Sequence, residues 1–534
     1  MASVINEAFM RFTRRAEVVD RARLVATFVD AGPLMTLLES RDHQIVYGRR
    51  GTGKTHALSY LVEDRRKKGD VSLYVDLRLI GSSGGIYADP NLLLEERATR
   101  LLIDTLAALH DSLVDYTLGE DLDLSMIGPV LDRLADSIAE VSVVGTVERE
   151  QEATAQDEEH SHRSAEAGLD PVAAAVRVAG GRSSKASRGR RERVTEAGVA
   201  RHRVHFGRVG ASLIDLSRAL DRHTWVVLDE WSSVPLDLQP YLADLLRRTL
   251  LPTPGYTVKF GAIEQRSRFR LSTPEGDYVG IEVGADMAAD VNLDDFMVFE
   301  NDPDRAKDFF RELLFRHLRA VLEDEHVDAP ATPSQLTNRA FTQVTAFDEF
   351  IRAAEGVPRD AINVAGLAAQ RALNDAISVE HVRTAARSWY QRDKEAAVGA
   401  NPTARALLHW AIDRVIGDRR ARAFLLRSDI SHPLIDTLFD ARVLHILKKS
   451  IAAHDQPGIR YDVYKLDYGC YVDLITTVRA PQGLLPVGNE NAEAGFVEVP
   501  PDDYRSIRRA ILDLTEFEDA QGPATSAESV GGTA

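Results

Sequence analysis

Two spacings of apolar residues recur along the chain, short continuous runs closed by turns and longer stretches with helical periodicity, and they interleave. Residues 1 to about 40 read as amphipathic helices, with Leu34-Met35-Thr-Leu37-Leu38 as one apolar face. The run Gln44-Ile-Val-Tyr47 then predicts a strand. His56-Ala-Leu-Ser-Tyr-Leu-Val62 suits a helix over 53–66. A Gly69-Asp70 turn leads into Val71-Ser-Leu-Tyr-Val-Asp76, which is apolar enough for a buried parallel strand. Helical patterns occupy 92–118, 124–141, 209–221 and 236–250, while 225–230 and 257–263 read as further strands. This alternation predicts an α/β fold with a parallel sheet covered by helices on both faces. A helical block follows over 303–395. The last ordered unit, 402–480, reads as a helix at 402–416, a strand at Ala423-Phe-Leu-Leu426 and two helices over 432–453 with a break near Phe439-Asp440. A hairpin of Arg460–Leu466 and Cys470–Ile475 around Asp467-Tyr-Gly469 closes it.

Composition narrows the class. With 534 residues, 44% of them hydrophobic and 28% charged, the chain reads as a soluble globular protein of more than one domain. Its single cysteine, Cys470, leaves no intramolecular disulfide or cysteine-based metal site and agrees with a reducing cytoplasm. No apolar run approaches the roughly 18 residues of a membrane span, and the N-terminus lacks the order of a signal peptide. A cytoplasmic protein without a membrane partner is the expectation. The formal charge of −17 argues against a surface that coats nucleic acid throughout. From 145 to 203 large apolar residues become scarce, which predicts a disordered insertion. Its charge is segregated: 148–167 holds seven acids and two basic residues, and 176–203 holds nine basic residues and two acids. It reads as a self-neutralising loop or as a basic arm toward nucleic-acid phosphates through Arg182, Lys185, Arg188, Arg190, Arg191 and Arg193. The small-residue stretch from Gly522 to Ala534 reads as a disordered tail.

Gly48-Arg-Arg-Gly-Thr-Gly-Lys-Thr55 fits the phosphate-loop pattern G-x-x-x-x-G-K-[ST] at each fixed position, with a strand before it and a helix after it. Gly48, Gly51 and Gly53 let the backbone wrap an anion, and its N–H groups then point at the phosphates. The helix N-terminus adds positive potential. The candidate nucleotide-binding set is Gly48, Arg49, Arg50, Gly51, Thr52, Gly53, Lys54, Thr55 and His56. Lys54 supplies charge for the β- and γ-phosphates, and the Thr55 hydroxyl can coordinate Mg²⁺. Trp225-Val-Val-Leu-Asp229-Glu230 is a buried-strand run that ends in two acids. Asp229 would hold the Mg²⁺ shell and Glu230 would orient the attacking water. ATP and Mg²⁺ are therefore the expected cofactors, and ATP hydrolysis the expected reaction. After the next strand, Gln265 is the first candidate for a polar residue that senses the γ-phosphate, and Glu264 the second. Arg247, Arg248, Arg266 and Arg268 are candidates for arginine fingers or plain surface charge.

At this point the chain resembles an AAA+ ATPase. Glu355-Gly356-Val-Pro-Arg359-Asp-Ala-Ile-Asn is similar to the start of the sensor-2 helix in the origin-recognition and initiator clade, and Ile377–Ala386 is similar to the closing lid helix. The resemblance implies that Arg359 reaches the γ-phosphate from the lid and that a winged helix follows. It also implies this division: an N-terminal helical segment (1–40), a P-loop core (41–300), a helical lid (301–398), a winged-helix domain (399–480) and a C-terminal helix with a tail (481–534). Twelve Lys and Arg face nine acids over 401–479. Candidate contacts to double-stranded DNA are Arg442, Lys448, Lys449, Arg460 and Lys465. A homo-oligomer or a complex with a partner protein is implied as well; the alternative expectation is a signal-transducing ATPase of a bacterial defence or regulatory system whose C-terminal unit docks a protein partner instead of DNA.

Overall fold

Hydrophobic runs become strands wherever a turn closes them within a few residues. The computed structural model describes residues 2–14, 19–80, 92–120, 122–138, 141–144, 199–202, 204–272, 274, 276–296, 302–322, 330–430, 432–452, 458–474 and 511–521. In chain order the strands are β1 (Gln44–Tyr47), β2 (Val71–Asp76), β3 (Val141–Val144), β4 (Val199–His202), β5 (Thr224–Asp229), β6 (Tyr256–Ala262), β7 (Arg270–Ser272), β8 (Tyr278–Gly280), β9 (Ala288–Asn292), β10 (Ala423–Arg427), β11 (Leu444–Ala452) and β12 (Arg460–Leu466). A mostly parallel sheet has the order β2-β5-β6-β1-β9, so the α/β class holds. The chain divides into two compact units, one of residues 1–67, 259–266 and 288–534, the other of residues 68–258 and 267–287.

In the second unit β2 and β5 pair in parallel from Val71↔Thr224 to Asp76↔Asp229. All six residues of β5 are buried, which is why that strand is apolar throughout rather than alternating. The helix Phe206–Leu220 buries Val209, Leu213, Leu216 and Leu220, the stripe that its spacing predicts. Trp231 stacks on Phe269 with ring centroids 4.8 Å apart. β3 and β4 form an antiparallel ladder that brackets residues 145–198. Most of the expected insertion, with its basic arm, lies outside the described residues, as do the 522–534 tail and all of 481–510.

In the first unit β1 pairs in parallel with β6, Gln44↔Lys259 through Tyr47↔Ala262, and with β9 on its other side. The sequence reading had no account of the segment that becomes β9. Helices Pro303–Leu322, Pro333–Ala340, Val344–Ala354, Pro358–Ala372 and Val379–Trp389 follow. Alanines 361, 365, 368, 369 and 372 are buried in Pro358–Ala372, and their small side chains let the helix Ala2–Met10 pack closely. A Cβ at Gly366 would stand 3.3 Å from the Phe9 carbonyl oxygen.

The C-terminal elements differ from expectation. Only Pro433–Asp440 of the 432–453 stretch is helical; Arg442 takes a positive φ of 60°, and β11 begins at Leu444. The hairpin is therefore β11 with β12, and residues 468–470 and 472–474 are 3₁₀ turns. The sheet order is β10-β12-β11, all antiparallel. One hydrophobic core runs across this sheet and the helical block, joining Phe310, Phe350, Ala365, Phe424, Leu438, Leu444 and Leu466.

Buried charges cross that core. Lys394 lies 2.8 Å from Asp360 and 2.5 Å from Asp467, and Arg442 pairs with Asp360 and Asp393. His445 Nε2–H donates to Asp467 at 2.9 Å. Burial opposes ionisation of Asp467, but Lys394 and His445 outweigh it and hold the carboxyl below its usual range. Burial, with Arg49 nearby, pushes His445 down to about 3, and burial with His56 and Arg23 does the same to His317. Both imidazoles stay neutral in the fold while the unfolded chain protonates near 6.5. Stability contributed by these sites is complete above about pH 6.5 and lost as pH falls toward 3, because the unfolded state binds the extra protons. Urea midpoints measured at pH 7.5, 6 and 5 should fall in that order, and His317→Gln should flatten the slope.

Candidate functional site

The phosphate loop leaves β1 at Tyr47, with the Gly48 N–H donating to the Ala262 carbonyl at 3.2 Å. Gly51 and Gly53 take φ of +90° and +98°, a region open to glycine at little cost. The helix Lys54–Lys67 starts at once, its first turn closed by the Ala57 N–H on the Gly53 carbonyl at 2.9 Å. Thr52 Oγ1 donates to the Arg49 carbonyl at 2.9 Å. Lys54 Nζ is buried and donates to the carbonyls of Gly48 at 2.5 Å and Arg49 at 3.1 Å. Its ammonium is thus held at the loop itself.

The helix Pro358–Ala372, the expected lid helix, meets this loop directly. Pro358 occupies the first turn, where a missing N–H costs nothing, and the Arg359 N–H donates to the Gly51 carbonyl at 3.2 Å. A Cβ on Gly51 would lie 2.9 Å from the Arg359 Cβ. Glu355 and Gly356, at φ of 50° and 73°, turn the chain into that position. The motif residues Gly356 and Arg359 are therefore spaced by a left-handed turn followed by a helix start.

Two members of the candidate set point elsewhere. The Arg49 side chain is 5% exposed and runs to Asp294, the Leu444 carbonyl and the Phe439 ring. Only its backbone belongs to the loop. The His56 Nε2–H donates to the Leu24 carbonyl at 2.8 Å and its ring meets Phe28 edge-on at 5.5 Å. Burial lowers its pKa, so it serves as a neutral wall. Arg50 is exposed. Phe28 also stacks on Tyr60, with centroids 4.1 Å apart. Thr27, Phe28, Val29, Leu313 and Pro358 join Thr52, Gly53 and His56 around an apolar cleft beside the loop. Sequence reasoning missed Thr27, Phe28, Val29 and Leu313; a local sign was Asp20 capping the helix Arg21–Thr27, which ends one residue before Phe28.

The carboxylates lie in the other unit. Asp229 is fully buried at the end of β5; its Oδ1 accepts the Glu230 N–H at 2.8 Å and its Oδ2 accepts the Tyr74 hydroxyl at 2.7 Å. Burial and then the Asp229 charge push the Tyr74 phenol far up, so it remains a donor. A carboxylate oxygen at this position is of the donor type that suits Mg²⁺. Glu230 stands at φ 59°, a strained conformation for a non-glycine residue that turns its side chain off the strand line. Arg78 bonds Asp76 at 2.6 Å and reaches within 3.9 Å of Glu230.

The remaining candidates separate by burial. Glu264 accepts from Lys449 at 2.5 Å and from Asn292 at 3.4 Å, while Gln265 lines a groove of about 700 Å³ on the antiparallel sheet, with Leu426, Ile446 and Tyr464. Arg247 and Arg248 are ion-paired with Asp244 at 2.9 and 2.7 Å, and Arg266 with Asp440. The Arg268 side chain is exposed. Arg442 and Lys465 are not surface cations. Lys465 is buried 2.6 Å from Glu355, and Arg442 is buried against Asp360 and Asp393. Arg442 fails as a contact because it sits in the connection before β11 at positive φ rather than on an exposed helix, and Lys465 because its position on β12 is one of those that turn into the core. Lys448, Lys449 and Arg460 are exposed, and Arg460 donates to Ser450 Oγ at 3.0 Å.

No protein-family model matches the chain, and no curated protein does. Among solved structures it is similar to Cdc6p from Pyrobaculum aerophilum, with 13% identity, a TM-score of 0.30 and coverage of 86% of this chain and 96% of that one. It is also similar to the ORC1 protein of Aeropyrum pernix, determined in complex with DNA, with 14% identity, a TM-score of 0.28 and coverage of 86% and 88%. Among the described residues no helix is long and apolar enough to cross a membrane.

Gly51→Ala and Gly53→Ala separate crowding from backbone strain, since a Cβ at Gly53 meets no atom within 4 Å. Titration with a fluorescent nucleoside triphosphate should show the larger loss for Gly51→Ala, about tenfold or more, given one lid contact and one strained torsion together. Equal losses would mean that the lid contact is irrelevant to the loop.

Proposed function

We propose that this chain is an ATP-binding and ATP-hydrolysing switch of the AAA+ type whose C-terminal sheet associates with double-stranded DNA. The observation that carries the nucleotide reading is the Arg359 N–H on the Gly51 carbonyl, which brings the lid helix onto a loop of phosphate-binding sequence. In this reading the apolar cleft beside Gly53 and His56 takes the base. Lys54 turns its ammonium from the loop carbonyls to the β- and γ-phosphates, and Arg359 adds positive charge from the lid. Thr55 and Asp229 are the residues that would hold Mg²⁺, which would offset the charge of the phosphate oxygens. Glu230 orients the attacking water and receives its proton. Gln265 remains the proposed γ-phosphate sensor. The site operates in the cytoplasm, in a homo-oligomer or with a partner protein.

On this reading Glu230→Gln retains ATP binding while turnover drops about 10²-fold or more, the scale of a lost general base. Lys54→Ala loses binding itself. Normal turnover in Glu230→Gln would remove that residue from the mechanism.

For DNA, the exposed Lys448, Lys449 and Arg460 form the proposed phosphate contacts. The burial of Arg442 and Lys465 favours a second reading, in which the same sheet docks a protein through the groove lined by Ile430, Ile435 and Ile446. Truncation before residue 402 would lay open the shared core, so substitution is the sounder test. Duplex binding should weaken steeply with salt, and Lys448→Glu with Arg460→Glu should lower the log–log slope by about two. No duplex binding at low salt would leave the protein-docking reading.

A further inference from the structure

Arg49 occupies the second position of the phosphate loop, yet its side chain turns away from the loop toward Asp294, Leu444 and Phe439. Its Nε donates to Asp294 Oδ1 at 2.8 Å, and its backbone N–H donates to Asp294 Oδ2 at 2.9 Å. Nη1 donates to the Leu444 carbonyl at 3.0 Å, and the guanidinium lies 5.2 Å from the centroid of the Phe439 ring. Leu444 opens β11, and Phe439 belongs to the helix before it. Between them Arg442, at φ 60°, is gripped from the lid side by Asp360 and Asp393. The short connection from helix to β11 is therefore held at both ends by Arg49 and in the middle by the lid.

The backbone of the same residue is wired to the loop lysine. The Arg49 carbonyl accepts from Lys54 Nζ at 3.1 Å and from Thr52 Oγ1 at 2.9 Å. A phosphate that draws the Lys54 ammonium takes a donor from the Arg49 peptide, and any shift of that peptide is applied to a guanidinium with three fixed partners. A lysine could not serve there: one ammonium cannot satisfy a carboxylate and a carbonyl in separate directions while stacking on a ring.

We infer that Arg49 is a positioning residue that reports occupancy of the phosphate loop to the 440–444 connection and to β11, the strand that carries exposed Lys448. The inference rests on the nucleotide reading above. It gives the C-terminal sheet a direct physical link to the loop, within one compact unit and without an intervening subunit.

Hydrogen exchange of the full chain tests it, read on peptides covering 441–452 with and without ATP and Mg²⁺, at nucleotide concentrations that saturate each protein by fluorescent titration. In the native protein nucleotide should change exchange there by about fivefold or more, the lower end of a usual coupling between sites. Arg49→Lys, which keeps the charge but not the fork, should bind more weakly and, once saturated, show a response reduced below about twofold. Phe439→Leu, a milder change outside the phosphate loop, should lie between the two. An undiminished response in both variants, or a saturated native protein with unchanged exchange at β11, overturns the inference and leaves nucleotide binding standing. Failure of the native protein to bind nucleotide overturns both. A purely structural role for Arg49 would lower the urea midpoint while leaving the nucleotide-dependent difference intact, and that result also counts against the inference.

Discussion

Lys394 is the charge on which the first unit depends. It is 1% exposed, and it sits between two carboxylates, Asp360 and Asp467, that are themselves buried. Without it Asp467 would lose its closest cation and Asp360 would face Arg442, a costly arrangement for two carboxylates buried so deeply. With it, the carboxylates can serve other partners: Asp360 accepts the Trp389 indole N–H at 3.0 Å and pairs with Arg442, and Asp467 holds His445. Asp360 is also the residue after Arg359. The placement of the lid helix start on the phosphate loop is therefore tied to an ion cluster whose members come from the lid, the π-helical turn Tyr390–Glu395 and the antiparallel sheet.

A second consequence is mechanical. Aromatic and aliphatic side chains from the lid helices and from β10, β11 and β12 fill a common interior, and the polar network threads it. Bistable motion inside such an interior requires alternative pairings for its charges, not a flexible linker. The left-handed residues Glu355 and Arg442 mark where the backbone is turned to make these pairings, and both side chains are salt-bridged.

How much was legible in the sequence follows from how local each feature is. The phosphate loop, the acidic pair at the end of β5 and the helix opening at Pro358 are contiguous motifs, and each formed its element within a residue or two of the reading. β9 was missed because Ala288-Ala-Asp-Val-Asn is short and polar and owes its strand state to pairing with β1. β11 was misread as a helix because Leu444-His-Ile-Leu-Lys-Lys supports either period, and pairing with β12 decides it. Lys465 and Arg442 were read as surface cations because a sequence does not show which carboxylate waits across the core; Glu355 and Asp360 are about 80 to 110 positions away. The cleft around Phe28 is assembled from the N-terminal segment, the loop helix and the lid, so no single window contains it.

The β3–β4 ladder also bears on chain length. Four antiparallel pairs, from Val141↔His202 to Val144↔Val199, hold the two ends of the intervening chain one strand spacing apart. Closing a loop whose ends are already pinned costs only about 0.6 kcal/mol more for each doubling of its length. The pairing of Val141–Val144 with Val199–His202 thus sets fixed entry and exit points at which an engineered change of chain length would leave the register of β2 and β5 in place.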